Sequence, residues 1–230
     1  MNNINGNYTD FYKKKKSERL YPTEFVVRTF LASYPGLNAS LKENGKVLDI
    51  GFGDGRNSVF LANEGHSVYG IEITSEIVDM LKKRFEDLKL SGIFEVGRNN
   101  NIPFKDNLFD TILACHSSYY IDEDDSFDNN LFEISRVLKK DGYFITSLPN
   151  NDSYILKDGD RFDDGSVIVK KDPYDNRNGY KLQSFTSTKD IKSRLSKYFY
   201  NFSFGFGHNN WYGIDEKVFW VVCQKRWLGG

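Results

Sequence analysis

Residues 47–58, Val47-Leu48-Asp49-Ile50-Gly51-Phe52-Gly53-Asp54-Gly55-Arg56-Asn57-Ser58, constrain this chain more than any other stretch. A short apolar run ends in three glycines at alternate positions, and a helix is expected directly after them. The next apolar run, Val68-Tyr69-Gly70-Ile71, ends in Glu72. Glycine lets the backbone turn sharply and lie close to a ligand. A carboxylate closing the following strand can accept two hydrogen bonds from a ribose diol. Together these features are the layout of a nucleotide-type cofactor site on a doubly wound α/β sheet.

The surrounding sequence keeps that rhythm. Strands are predicted at 46–50, 67–72, 93–96, 109–115 and 143–148, from runs of apolar and β-branched residues. Between them lie helical patterns: Val59 to Ala62; Ile77, Met80, Leu81, Phe85 and Leu88; and a helix over 126–139 with Phe127, Leu131, Ile134 and Leu138 on one face. Strands that alternate with helices give a parallel sheet, because each right-handed crossover covers a face. An earlier helix is predicted to start near Pro22, a residue suited to a first turn. After Pro149 the pattern changes. Val167, Val169, Tyr180 and Leu182 flank a turn at Asn178-Gly179 and suggest a hairpin or small insert. A helix follows at 188–196. Tyr198, Tyr200, Phe202, Phe204 and Phe206 then alternate as in a strand, and Val218 to Cys223 reads as a strand buried on both faces.

Composition narrows the function classes. The net charge is −1 over 230 residues, and no basic stripe interleaves with the 19 Phe and 14 Tyr, which argues against a nucleic-acid partner. The polar N-terminus carries no leader pattern, and no apolar run is long enough to span a membrane. Cys115 and Cys223 lie far apart in apolar runs and read as reduced thiols, which favours a cytoplasmic location. Lys13 to Lys16 read as a solvated charged segment.

From about Gly45 to Leu148, and again in the final strand pair, the chain resembles the class I S-adenosylmethionine-dependent methyltransferases. The residues that carry the likeness are Val47 to Gly55, Glu72, Ile102-Pro103-Phe104 with Asp106, Phe109-Asp110, and Leu138-Lys139-Lys140-Asp141-Gly142-Tyr143. Gly55-Arg56-Asn57-Ser58 is similar to the tellurite-resistance branch. The resemblance implies an α/β Rossmann-like sheet of seven strands, mostly parallel, with an antiparallel last strand beside strand five, helices on both faces and an insert at about 152–184. Residues 1–44 would be an N-terminal helical segment, with Tyr12, Tyr21 and Arg28 as lid candidates, and 45–230 the methyltransferase domain.

The cofactor implied is S-adenosylmethionine, leaving as S-adenosylhomocysteine. Its implied binding set is Asp49, Gly51, Phe52, Gly53, Gly55, Asn57, Glu72, Ile73, Asn99, Asn100, Cys115 and Tyr120. The glycines would admit the methionine part and ribose, Asp49 would support the loop and the cofactor amino group, Glu72 would clamp the ribose, and Ile73 would pack on adenine. The acidic residue expected near the adenine is replaced by Arg98, which has no acceptor, so either Asn99 or Asn100 would supply a carbonyl, or backbone groups and packing would hold the adenine.

Methyl transfer asks little of side chains beyond positioning. A base is needed only where the acceptor must lose a proton. His116, in Cys115-His116-Ser117-Ser118-Tyr119-Tyr120 at the end of strand four, is the candidate base, with a pocket-lining role as the alternative. His208 is expected in a loop that could face the acceptor, and His66 on the surface. Asp122 to Asp125 precede a helix, where acidic residues favour the positive dipole end over a metal site. The expected partner is a small-molecule acceptor, with no nucleic acid or membrane, on a monomer or homodimer. Two alternatives remain: a non-catalytic cofactor-binding scaffold or partner-binding module of the same fold, and an NAD-dependent oxidoreductase. The second requires a third glycine where Arg56 stands.

Overall fold

A computed structural model describes residues 9–10 and 21–226. The Lys13–Lys16 run and Tyr12 lie outside the described residues. A seven-stranded sheet has the order β10-β11-β6-β4-β1-β2-β3. Its parallel half is β1 (Lys46–Ile50), β2 (Ser67–Glu72), β3 (Gly92–Val96), β4 (Phe109–Ala114) and β6 (Leu138–Pro149). At the far end β11 (Ile214–Lys225) runs antiparallel between β6 and β10 (Phe199–Trp211).

Period-two side-chain direction divides the core between the two faces. From β1, Leu48 and Ile50 pack with α4 (Phe127–Val137) and α5 (Thr188–Leu195) through Leu131, Ile134, Ile191 and Leu195. Val47 points the other way, toward α1 (Glu24–Leu31), α2 (Arg56–Asn63) and α3 (Ser75–Asp87) through Val26, Leu61, Ile77 and Leu81. Three helices start on hydroxyl caps: Thr74, Ser126 and Ser187 accept the N–H groups of Ile77, Asn129 and Asp190.

Three local departures from the periodicity have backbone causes. The helix predicted over 126–139 stops at Val137, and the chain passes directly into β6. The Asp141-Gly142 turn is absorbed inside that strand as an irregularity with Asp141 at φ +59°. In β10 the aromatic alternation breaks between Tyr200 and Ser203, where Asn201 takes φ +51° and the register shifts. Such a bulge turns the following side chains over. Phe199 therefore packs on Phe144 in the core, while Phe202 and Phe204 stack on each other half-buried. Phe206 is exposed.

A second, four-stranded sheet has the order β5-β9-β8-β7: β5 (Tyr120–Ile121), β7 (Asp160–Arg161), β8 (Ser166–Ile168) and β9 (Lys181–Gln183). The hairpin strands β8 and β9 pair, and β9 also pairs with the two-residue β5 that follows β4. Periodicity does not resolve so short a strand as β5. Its pairing fastens the segment after β6 over the carboxyl ends of β1 and β4.

Candidate active site

The glycine turn is built from left-handed backbone. Gly51, Gly53 and Gly55 have φ of +66°, +56° and +75°, a region L side chains rarely adopt. Gly51 closes the turn through its N–H to the Ile71 carbonyl at 2.9 Å, and Gly55 caps α2. The Asn57 side chain in that helix's first turn accepts the Thr23 N–H at 2.9 Å, which fixes the start of α1 beside the turn.

A cavity of about 800 Å³ opens at the carboxyl ends of β1, β2 and β4. That volume suits a nucleotide-type cofactor plus a small second molecule. Of the residues expected from sequence, Gly51, Phe52, Asn57, Glu72, Ile73, Asn99, Cys115, His116 and Tyr120 line it. Asp49, Gly53, Gly55 and Asn100 do not. Asp49 is buried and accepts the Ser58 hydroxyl at 2.7 Å, so it anchors the start of α2 from below. Burial pushes its carboxyl up to about 7. Asn100 donates to Asp125 instead. Asn99 donates its amide to the carbonyls of Ser117 and Tyr120 at 2.9 and 3.1 Å, which leaves its own carbonyl as the acceptor beside the cavity. Arg98 lines the same end and pairs with Asp122 at 2.7 Å.

Glu72 meets the chemistry a ribose diol needs. Its Oε1 accepts the Gly53 N–H at 3.0 Å and its Oε2 accepts the Ile73 N–H at 2.8 Å. A carboxylate oxygen has a second acceptor direction, so one remains on each oxygen at the cavity wall. Burial raises its carboxyl above the usual range, and the two backbone donors oppose that rise.

At the other end, His116 has φ +58°, with its N–H on the Ser147 hydroxyl at 2.7 Å and its ring edge-on to Trp220 at 5.7 Å. Burial, together with the guanidiniums of Arg177 and Arg56, lowers its imidazole to about 4, so it is neutral at pH 7. The adjacent Cys115 thiol, half-buried at the cavity wall, is pushed up to about 12 by burial, so little thiolate forms at neutral pH.

The segment after β6 roofs this end with Ile168, Tyr174, Asn176, Arg177 and Tyr180, none of which the sequence singled out as a site residue. Their only sequence signal was position in the insert. Thr23 and Arg56 also line the cavity and were missed. Tyr21 and Arg28 do not line it; Arg28 pairs with Glu24 and Tyr34 on the surface. His208 is not in a loop: it sits in β10 opposite Lys217, exposed and bonded to Asp215 at 2.6 Å. His66 is not a free surface residue either, since its half-buried ring lies edge-on to Phe30.

Comparison with known proteins agrees with this architecture. Residues 48–146 match the family described as methyltransferase domain. An uncharacterized methyltransferase of Bacillus subtilis, YcgJ, is 26% identical over 105 residues, covering 45% of this chain and 40% of that protein. The chain spans less than half the length of the curated relatives it matches. Among solved structures, an S-adenosylmethionine-dependent methyltransferase from Methanosarcina mazei superposes with TM-score 0.61 at 22% identity, over 85% of this chain and 99% of that one. The [4+2]-cyclase SpnF superposes with TM-score 0.58 at 16% identity, over 80% of this chain and 76% of that one.

Fold and glycine turn define a Rossmann-like domain whose architecture matches that of solved methyltransferases. Residues 48–146 thus match a methyltransferase domain, and the fold is one shared with S-adenosylmethionine-dependent methyltransferases. Among the described residues no helix is long and apolar enough to cross a membrane.

Proposed function

We propose that this protein moves a methyl group from S-adenosylmethionine to a small-molecule acceptor. The carrying observation is the Glu72 carboxylate, held by Gly53 and Ile73 with one acceptor direction per oxygen facing the cavity. Gly51, Phe52 and Ile73 would hold the cofactor along the wall of β1 and β2, with Asn99 offering its carbonyl to the adenine amino group. Bound there, S-adenosylmethionine would supply an activated methyl for the acceptor's lone pair, with a neutral thioether as the leaving group. The chain's own contribution is alignment and exclusion of water by the roof, which supplies much of the rate in such a step.

His116 would take a proton that the acceptor sheds. Its ring is neutral at pH 7, so it is ready to accept, and its weak basicity suits an acceptor whose own proton is acidic. The small-acceptor reading rests on the roof segment over one end of the cavity and the near-zero net charge. Cytoplasmic location follows from the two free thiols in the same proposal.

A fold does not decide chemistry, so a non-catalytic cofactor-binding scaffold of the same fold stands as the alternative. Calorimetric titration with S-adenosylmethionine, S-adenosylhomocysteine and NAD tests the reading. Micromolar binding of both sulfur compounds without NAD, followed by methyl incorporation in an acceptor screen, is the expected result. Binding without any transfer would favour the cofactor-binding scaffold, and absence of binding would overturn the proposal.

A further inference from the structure

Arg177 sits in the roof and lines the cavity at its His116 end. Its guanidinium is held on one edge only. Nε donates to Asp172 Oδ2 and Nη2 to Asp172 Oδ1, both at 3.0 Å, and Nη2 also reaches the Tyr154 hydroxyl at 2.9 Å. Asp172 is itself fully buried and locked, accepting the backbone N–H groups of Tyr174, Asn176 and Arg177 at 3.0 to 3.2 Å. The tether fixes the fork's direction. A guanidinium has five N–H donors, and among the described residues Nη1 donates to no protein acceptor. A locked side chain with a donor pair left over at a cavity wall is arranged for a ligand, because its ordering entropy is already spent.

The surroundings say what kind. Tyr120, Tyr174, Tyr180 and Ile168 supply flat apolar walls to the same cavity. Arg56 lines the same cavity, forked onto Asp54 through Nε and Nη2 at 2.9 and 2.6 Å, and its guanidinium and that of Arg177 both lower the His116 imidazole. Glu216 also lies within reach of Arg177's charge; burial raises its carboxyl and that charge opposes the rise.

We infer that Arg177 selects the acceptor, seating the carboxylate of a small planar acid against its Nη1 edge at the His116 end of the cavity. This rests on the methyltransferase reading for the word acceptor, while the anion site stands on geometry alone. An anionic group held there would place the molecule's body between the tyrosines and the methyl-bearing end of the cofactor.

The test uses the full chain and benzoate, with benzamide as the neutral isostere, titrated with and without saturating S-adenosylhomocysteine. In the wild type benzoate is expected to bind at least tenfold tighter than benzamide. Arg177→Gln should bring the ratio to near one, and Arg177→Lys should leave it in between, since a point charge lacks the fork. Asp172 keeps its three backbone donors in both variants, so the loop retains its shape; an unchanged S-adenosylhomocysteine affinity verifies it. Equal binding of benzoate and benzamide, no benzoate binding in the wild type, or a ratio that survives in Arg177→Gln would overturn the inference. Failure of S-adenosylhomocysteine to bind beside an Arg177-dependent benzoate preference would remove the methyltransferase reading and leave the anion site standing.

Discussion

Glu72 reaches back across the glycine turn to Gly53: its Oε1 accepts that N–H at 3.0 Å from the next strand along. One carboxylate thus shapes the turn and faces the cavity. Truncating it removes both a backbone staple and the acceptors proposed for the ribose. Glu72→Ala should weaken S-adenosylhomocysteine binding by about 3 kcal/mol, the scale of one or two charge-assisted hydrogen bonds. Glu72→Gln, which keeps one acceptor oxygen, should lose less. Calorimetry reads both, and an unaltered affinity in Glu72→Ala would place the ribose elsewhere.

Asp49 gives a stability prediction with a definite sign. Its native carboxyl titrates near 7, above an ordinary Asp near 4, because burial outweighs the Ser58 hydroxyl. The native state therefore keeps a proton that the unfolded chain has lost. That contribution is full below about pH 4 and is lost as pH rises toward and through 7. Asp49→Asn keeps an oxygen for Ser58 and removes the titration, so it should stabilise the free protein by about 1 kcal/mol or more at pH 8. Urea unfolding at pH 5 and pH 8 measures the difference. A wild-type midpoint that does not fall between those two values on account of Asp49 would contradict it.

His116 shifts the other way. Burial and the Arg177 and Arg56 cations hold its imidazole near 4, below the ordinary 6.5. The unfolded chain binds the proton first, so stability drains as pH falls from about 6.5 to 4. If the ring accepts the acceptor's proton, turnover should be flat on its account from pH 6 to 8, with an acid limb near 4. His116→Asn tolerates the left-handed backbone and should cut turnover about a hundredfold without loss of cofactor affinity. Full turnover in that variant would leave His116 as a wall of the cavity only.

Both cysteines should resist modification. Burial raises the thiols of Cys115, to about 12, and Cys223, so the thiolate is scarce at pH 8. A thiol reagent should label neither in the native protein and both after unfolding. Rapid labelling of Cys115 in the free protein would show that its end of the cavity is wetter than the packing implies.

The parallel half of the sheet was legible because its strands and helices announce themselves by period: Leu48 and Ile50 against Val47, or Leu131 and Ile134 on one helix face. The resemblance added the place of β11. The wall formed by Gly51, Glu72 and Ile73 was readable for the same reason, since a glycine turn and an acid at a strand end occupy local positions. The roof was not. Tyr174 and Arg177 reach the cavity only because β9 pairs with two residues, Tyr120 and Ile121, sixty positions upstream. Tertiary pairing that short leaves no pattern in a window of sequence. The β10 bulge at Asn201 is similar: a single left-handed residue re-aims the aromatics beyond it, and nothing in the alternation marks where.

Gly55 separates two roles of glycine in one experiment. It caps α2 at φ +75°, and a Cβ there would stand 2.1 Å from Leu81 Cδ1 of α3. Gly179 has φ +86° with nothing within 4 Å of its would-be Cβ. Gly179→Ala should cost only the left-handed strain, about 1 kcal/mol. Gly55→Ala adds overpacking against a buried leucine, so about 2–4 kcal/mol is expected in all. Urea unfolding compares them directly, and Gly55→Ala with Leu81→Ala should recover part of the loss, because the second change removes the atom in the way. Equal costs at the two glycines would mean that Leu81 swings aside and that α3 does not brace the turn. A larger cost at Gly55 with weakened S-adenosylhomocysteine binding would tie that brace to the cofactor wall, through the α2 start that Asn57 and Ser58 fasten to Thr23 and Asp49.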